Sequence, residues 1–165
     1  MRHPITAIDP GTPKSIIGLD CATKTGWCVM SPFGNVMESG VQDFAKKRGE
    51  SNGLMFLRFR KWLLDLVSMA DKPLIVYEQA HHRGGAATEI CVNLTGRVQE
   101  VAAKIGSECA TVRTTSLKKW ATGSGKASKG DMIAWARGRL GREPIDDNEA
   151  DAVAIAAWAR DEYMS

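Results

Sequence analysis

Ser15-Ile16-Ile17-Gly18-Leu19-Asp20 is a short apolar run that ends on a carboxylate, and Thr23-Lys24-Thr25-Gly26 follows it. The pattern reads as a buried strand entering a turn. The same arrangement recurs once, in Leu74-Ile75-Val76-Tyr77-Glu78. If the two strands lie side by side, their C-terminal ends bring Asp20 and Glu78 together, at the edge where open sheets tend to place ligands. Either residue alone could simply start a turn; the pair is what points to a site.

Working outward, Trp27-Cys28-Val29-Met30 reads as a second strand, broken by Ser31-Pro32-Phe33-Gly34-Asn35, and a third runs from about Val36 to Phe44. Three consecutive strands with turn-rich links suggest an antiparallel meander. Ser51 to Met69 carries apolar residues at helical spacing, with Ser51 or Asn52 near its cap. Ala86 to Ile105 follows a helical period after Gly84-Gly85, and Glu108 to Val112 is a candidate fifth strand. Thr114 or Ser116 is a candidate cap for a short helix over Leu117 to Ala121. After Thr122-Gly123-Ser124-Gly125, Ser128 is placed to cap a helix through Leu140. Pro144 separates it from a last helix, about Asp147 to Glu162, with a small-residue face of Ala152, Ile155, Ala156 and Ala159. Three strands followed by strand–helix units give an α/β domain: a five-stranded mixed sheet, meander plus parallel strands, with helices on both faces.

The 165 residues suit one domain, taken as 15–165, with Met1 to Lys14 as a flexible, proline-containing leader. No apolar run approaches the roughly 18 residues of a membrane span, and the leader lacks the apolar stretch of a signal peptide. A cytoplasmic protein without membrane association is expected. Cys21, Cys28, Cys91 and Cys109 form no CxxC pair and sit in apolar patterns, so buried free thiols are expected rather than disulfides or zinc. A net charge of +3 is too small to announce nucleic acid by itself. Its distribution says more: Lys118, Lys119, Lys126, Lys129, Arg137, Arg139 and Arg142 precede an acidic group of Asp146, Asp147, Glu149 and Asp151. A basic field beside carboxylates suits a polyanion held near metal ions, though solvated helix faces give the same counts.

Asp151 opens the otherwise apolar run Ala152-Val153-Ala154-Ile155, and Asp147 lies one turn earlier on the same helix face. With Asp20 and Glu78, such a group can hold two Mg²⁺ ions about 3.5–4 Å apart, Mn²⁺ being a natural substitute. Asp147 and Glu149 are also explained by the helix dipole alone.

Ile17-Gly18-Leu19-Asp20 with Thr25-Gly26-Trp27 resembles the first motif of the RuvC-type Holliday-junction resolvases, which have a ribonuclease H-like fold. Ile75-Val76-Tyr77-Glu78-Gln79 resembles their second, and Asn148-Glu149-Ala150-Asp151-Ala152-Val153-Ala154-Ile155-Ala156 their C-terminal helix. Between these, Lys118 to Lys129 is similar to a family segment with a Gly-x-Gly turn flanked by functional lysines. The ordered set spans about Ser15 to Ala159.

The resemblance implies a homodimeric endonuclease that cuts branched DNA, four-way junctions above all, by a metal-activated water without a covalent intermediate. Asp20, Glu78 and Asp151 would be metal ligands. The family's fourth ligand position is occupied here by Asn148, and Asp147, facing the same way, is preferred. Lys118 and Lys129 would contact phosphate or stabilise transition-state charge, or else stand as ordinary surface lysines. Lys119, Lys126 and the backbone at Gly123 and Gly125 would approach the DNA. Some relatives place an aromatic wedge where His81 stands, so His81 and Arg83 are candidate base-stacking residues. The helix Ala86 to Ile105 is a candidate for the dimer interface.

Three other readings compete. A sugar kinase or actin-like ATPase shares the Gly18 to Gly26 pattern, but one short domain cannot enclose a nucleotide between two. A non-catalytic nucleic-acid-binding module would bind junctions without cutting, and an RNA-directed nuclease would share every metal ligand.

Overall fold

The computed structural model describes residues 13–80 and 84–164. Among them, five strands and five helices follow in the order β1 Ile16–Asp20, β2 Lys24–Met30, β3 Val36–Asp43, α1 Asn52–Val67, β4 Leu74–Glu78, α2 Ala86–Ile105, β5 Cys109–Val112, α3 Thr114–Thr122, α4 Lys129–Leu140 and α5 Asp147–Met164. The sheet order is β3-β2-β1-β4-β5. β1, β2 and β3 form the antiparallel meander, while β4 and β5 add in parallel. This is the mixed α/β sheet expected from the sequence.

Strand alternation divides the core into two layers. Ile16 and, on β4, Leu74 and Val76 pack with Leu117, Met132 and the buried face of α5. Ile17, Leu19, Ile75 and Tyr77 point the other way, toward Met55, Phe59 and Leu63 of α1 and Leu94, Val98 and Val101 of α2. Helices α3, α4 and α5 therefore cover one face, and α1 and α2 the other. By the same two-residue period, Asp20 and Glu78 fall on the α5 side.

α5 is buried on nearly all sides, through Ala150, Ala152, Val153, Ala154, Ile155, Ala156, Ala157 and Ala159. It can lie so close to the sheet because two strand positions lack side chains. A Cβ on Gly18 would come within 2.5 Å of the Ala152 carbonyl oxygen, and one on Gly26 within 1.9 Å of the Asn148 carbonyl oxygen. Both glycines of the first motif thus set the height of α5 above β1 and β2.

Some boundaries differ from the sequence expectation. Lys24 to Gly26 was taken as turn but belongs to β2, paired with β1 and β3 up to Asp20↔Gly26 and Lys24↔Asp43. Thr25, fully buried, donates its hydroxyl to the Ala22 carbonyl at 2.6 Å, which closes the turn within Cys21 to Thr23. α3 is capped by Arg113 without a side-chain bond, not by Thr114 or Ser116. Ser51 and Ser128 do cap α1 and α4, Ser128 in a reciprocal capping box with Asp131. Of the expected leader, residues 1–12 lie outside the described residues, and Lys14 is tied to Glu108 at 2.7 Å. All four cysteines are free, Cys21 and Cys28 buried and the other two half-buried. Burial pushes the Cys28 thiol up to about 12 and those of Cys91 and Cys109 up to about 11. No helix among the described residues is long and apolar enough to cross a membrane.

Candidate metal centre

β1 and β4 run in parallel register, Leu19 opposite Tyr77, so the next residue of each strand is a carboxylate. α5, seated on Gly18 and Gly26, adds a third. The result is a group of Asp20, Glu78 and Asp151 whose carboxylate oxygens lie within 4.8 Å of one another.

Packing three acids so tightly shows in their electrostatics. Burial, and then the charges of Glu78, Asp151, Asp147 and Asp146, hold the Asp20 carboxyl well above the ordinary range. Asp151 is pushed up to about 7, first by burial and then by Glu78 and Asp147, while Lys118 and Lys129 pull it back down. Both lysines are therefore electrostatic neighbours of the cluster. Lys129 is largely exposed and reaches Asp147 at 3.5 Å.

Asp147 thus adds its charge to the rim of the site without joining the three-residue group. The amide of Asn148 donates instead to Asp146 at 3.2 Å. Asp146, which the sequence reading did not single out, accepts from the Glu149 N–H at 3.0 Å and so caps α5. The Asp-x-x-Glu spacing of Asp146 and Glu149 was the available signal. Glu149 does more than complement the helix dipole. It is fully buried, and it accepts from Arg142 Nη2 at 2.6 Å, Ser39 Oγ at 2.9 Å and the Ile145 N–H at 2.9 Å. That network ties the start of α5 to β3. Thr114, expected in the sequence only as a candidate helix cap, donates its hydroxyl to Glu78.

The basic field resolves into two groups. Arg137 is paired with Glu143, Arg139 lies 5.9 Å over the Trp135 ring, and Arg142 neutralises Glu149. On α3, the following loop and the start of α4, Lys118, Lys119 and Lys126 make no ion pair among the described residues, and Lys129 pairs with Asp147. In that loop Gly123 ends α3 in a left-handed conformation with its N–H on the Lys119 carbonyl. The amides of Ser124 and Lys126 bond to Thr122 and Ser124 hydroxyls. The Gly123, Ser124 and Lys126 N–H groups are thus engaged within the loop, and a Cβ on Gly125 would lie 3.4 Å from the Thr115 carbonyl oxygen. His81 and Arg83 lie outside the described residues.

Fold and cluster together define a ribonuclease H-like α/β domain with an acidic centre at the carboxyl ends of β1 and β4. Among solved structures it is similar to RuvC of Thermus thermophilus, with a TM-score of 0.71 at 20% identity over 90% of this chain and 97% of that one. A structure of T. thermophilus RuvC in complex with a Holliday junction substrate gives a TM-score of 0.75, again at 20% identity, over 91% of this chain and 97% of that one. The yeast mitochondrial Holliday junction resolvase Ydc2 follows at 0.57 and 14% identity, over 90% of this chain and 78% of its own. No family model and no curated protein matches the chain. The RuvC-type fold implied by the short motifs is thus the fold of this protein.

Proposed function

We propose that this chain is a divalent-metal-dependent endonuclease that cuts branched DNA, four-way junctions in particular, as a homodimer in the cytoplasm. The observation that carries the reading is the convergence of Asp20, Glu78 and Asp151 within 4.8 Å on a RuvC-type fold. The donor set fits hard cations such as Mg²⁺ or Mn²⁺: it is all oxygen, and its mutual repulsion calls for positive charge. Two bound cations would ligate the scissile phosphate, acidify a water and offset charge on the leaving oxygen.

The protein's own residues divide the remaining work. Asp20, Glu78 and Asp151 hold the centre, with Asp147 at its rim as the fourth ligand in preference to Asn148. Lys118 and Lys129 set positive charge beside Asp151, where the phosphate must approach. Lys119, Lys126 and the Gly125 backbone extend that surface along the DNA. A four-way junction has two-fold symmetry, so paired cuts call for a symmetric dimer. The first half of α2 supports a role there, because no residue of it before Leu94 is fully buried and Val92 is 45% exposed.

Labelled four-way junction, fork, linear duplex and single-stranded RNA, each incubated with Mg²⁺, Mn²⁺ or EDTA, test the reading. Metal-dependent cutting at the branch point is expected. Junction binding without any cutting would establish the non-catalytic module instead, and preferential cutting of RNA would establish the RNA-directed nuclease.

A further inference from the structure

Glu78 does not stand alone at the end of β4. β5 pairs beside it, Glu78 opposite Val112, and the chain turns into α3 two residues later. That short hand-off places Thr114, the first residue of α3, against the carboxylate, and its Oγ1 donates to Glu78 Oε1. Lys118 sits one turn further along the same helix face, and its charge is felt at Asp151. One short helix therefore reaches Glu78 through a hydroxyl and carries an ammonium whose charge pulls the Asp151 carboxyl down. The terminal torsion of a glutamate is broad when nothing holds it. A donated hydrogen bond confines it to one orientation toward Asp20 and Asp151.

We propose that Thr114 is a positioning residue for the metal centre: its hydroxyl fixes the Glu78 carboxylate and couples the seat of α3, and hence of Lys118, to that ligand. The proposal rests on the metal-centre reading above. Groups that orient metal ligands through hydrogen bonds typically change metal affinity about 10–100-fold when removed.

Calorimetric titration of the metal-free chain with Mn²⁺ tests it directly. Thr114→Val, matched in shape but without the donor, should weaken Mn²⁺ binding by about 10-fold or more, whereas Thr114→Ser should stay within about two-fold of wild type. In cleavage assays, Thr114→Val should raise the half-saturating Mn²⁺ concentration and lose most of its defect at saturation. Thr114→Ala gives the same comparison in a smaller side chain if valine disturbs α3, and melting in EDTA reports that directly. Wild-type Mn²⁺ binding by the valine and alanine variants, or equal loss in the serine variant, overturns the positioning role. Absence of Mn²⁺ binding by the wild-type chain overturns the metal reading itself, a separate and recognisable failure.

Discussion

At neutral pH Asp151 sits at its own titration point, because burial and the neighbouring acids push its carboxyl up to about 7. An unfolded chain would release that proton near the ordinary value of 3.8. Between these limits the folded state holds the proton and the unfolded state does not, so stability falls as pH rises through the window. Asp20 is shifted in the same direction. Without metal, the protein should melt lower at about pH 8 than at about pH 5, and Asp151→Asn should recover several degrees, roughly 5 °C, at the higher pH. Mn²⁺ should reverse the loss in wild type, with apparent affinity climbing as pH rises because cation and proton compete. Thermal melts in EDTA and in Mn²⁺ check this; a melting temperature that rises with pH in EDTA would contradict it. Lys118→Ala should reduce cleavage with little change in melting, since the lysine acts on Asp151 through its charge and is not among the buried core residues. Asp20 and Glu78 were legible in the sequence because a carboxylate closing an apolar strand is a local pattern. Thr114 was not, because its partner lies 36 residues away and only the pairing of β4 with β5 joins them.

Among the elements, α5 decides whether the acids meet. Its position depends on the two glycines beneath it and on the Glu149–Arg142–Ser39 network at its start. Gly26→Ala would drive a methyl group into the Asn148 carbonyl, so the variant should lose both stability and cleavage. Arg142→Ala leaves a fully buried carboxylate without its cation and should destabilise the protein by about 3 kcal/mol in a denaturant titration. Arg137→Ala, at an exposed pair with Glu143, should leave the midpoint where it was. Helices α1, α2, α4 and α5 were readable from periodicity and capping serines, signals carried within one segment. The early start of β2 was not, because Thr25 and Gly26 read as turn residues until α5 is known to lie over them. Glu149 likewise reads as a helix-start acid until Arg142 and Ser39 close around it.

For the molecule as a whole, the arginines of the basic stretch are taken up by structural contacts, while among the described residues Lys118, Lys119 and Lys126 make no ion pair and Lys129 pairs with Asp147. Junction binding carried by such phosphate contacts should weaken steeply with added salt, as the slope of log affinity against log salt would show, and a flat slope would sink the model. Asp20→Asn should stop cleavage while sparing or tightening junction binding, since a negative charge near phosphate is removed. Equal cutting by that variant would remove the metal centre from the account. The mixed sheet and the two helical layers followed from the sequence because meander and strand–helix units admit few arrangements. Dimerisation did not, since an apolar helix face looks the same whether it meets a core or a second subunit.

The three acids are contributed by β1, β4 and α5, so the cluster depends on a helix that follows the second acid at a long distance along the chain. A ribosome-bound product ending at α4 has two of the three acids and no centre. The order of synthesis therefore withholds the cluster: a chain released before α5 is made carries Asp20 and Glu78 but lacks Asp151, whatever part of it has folded.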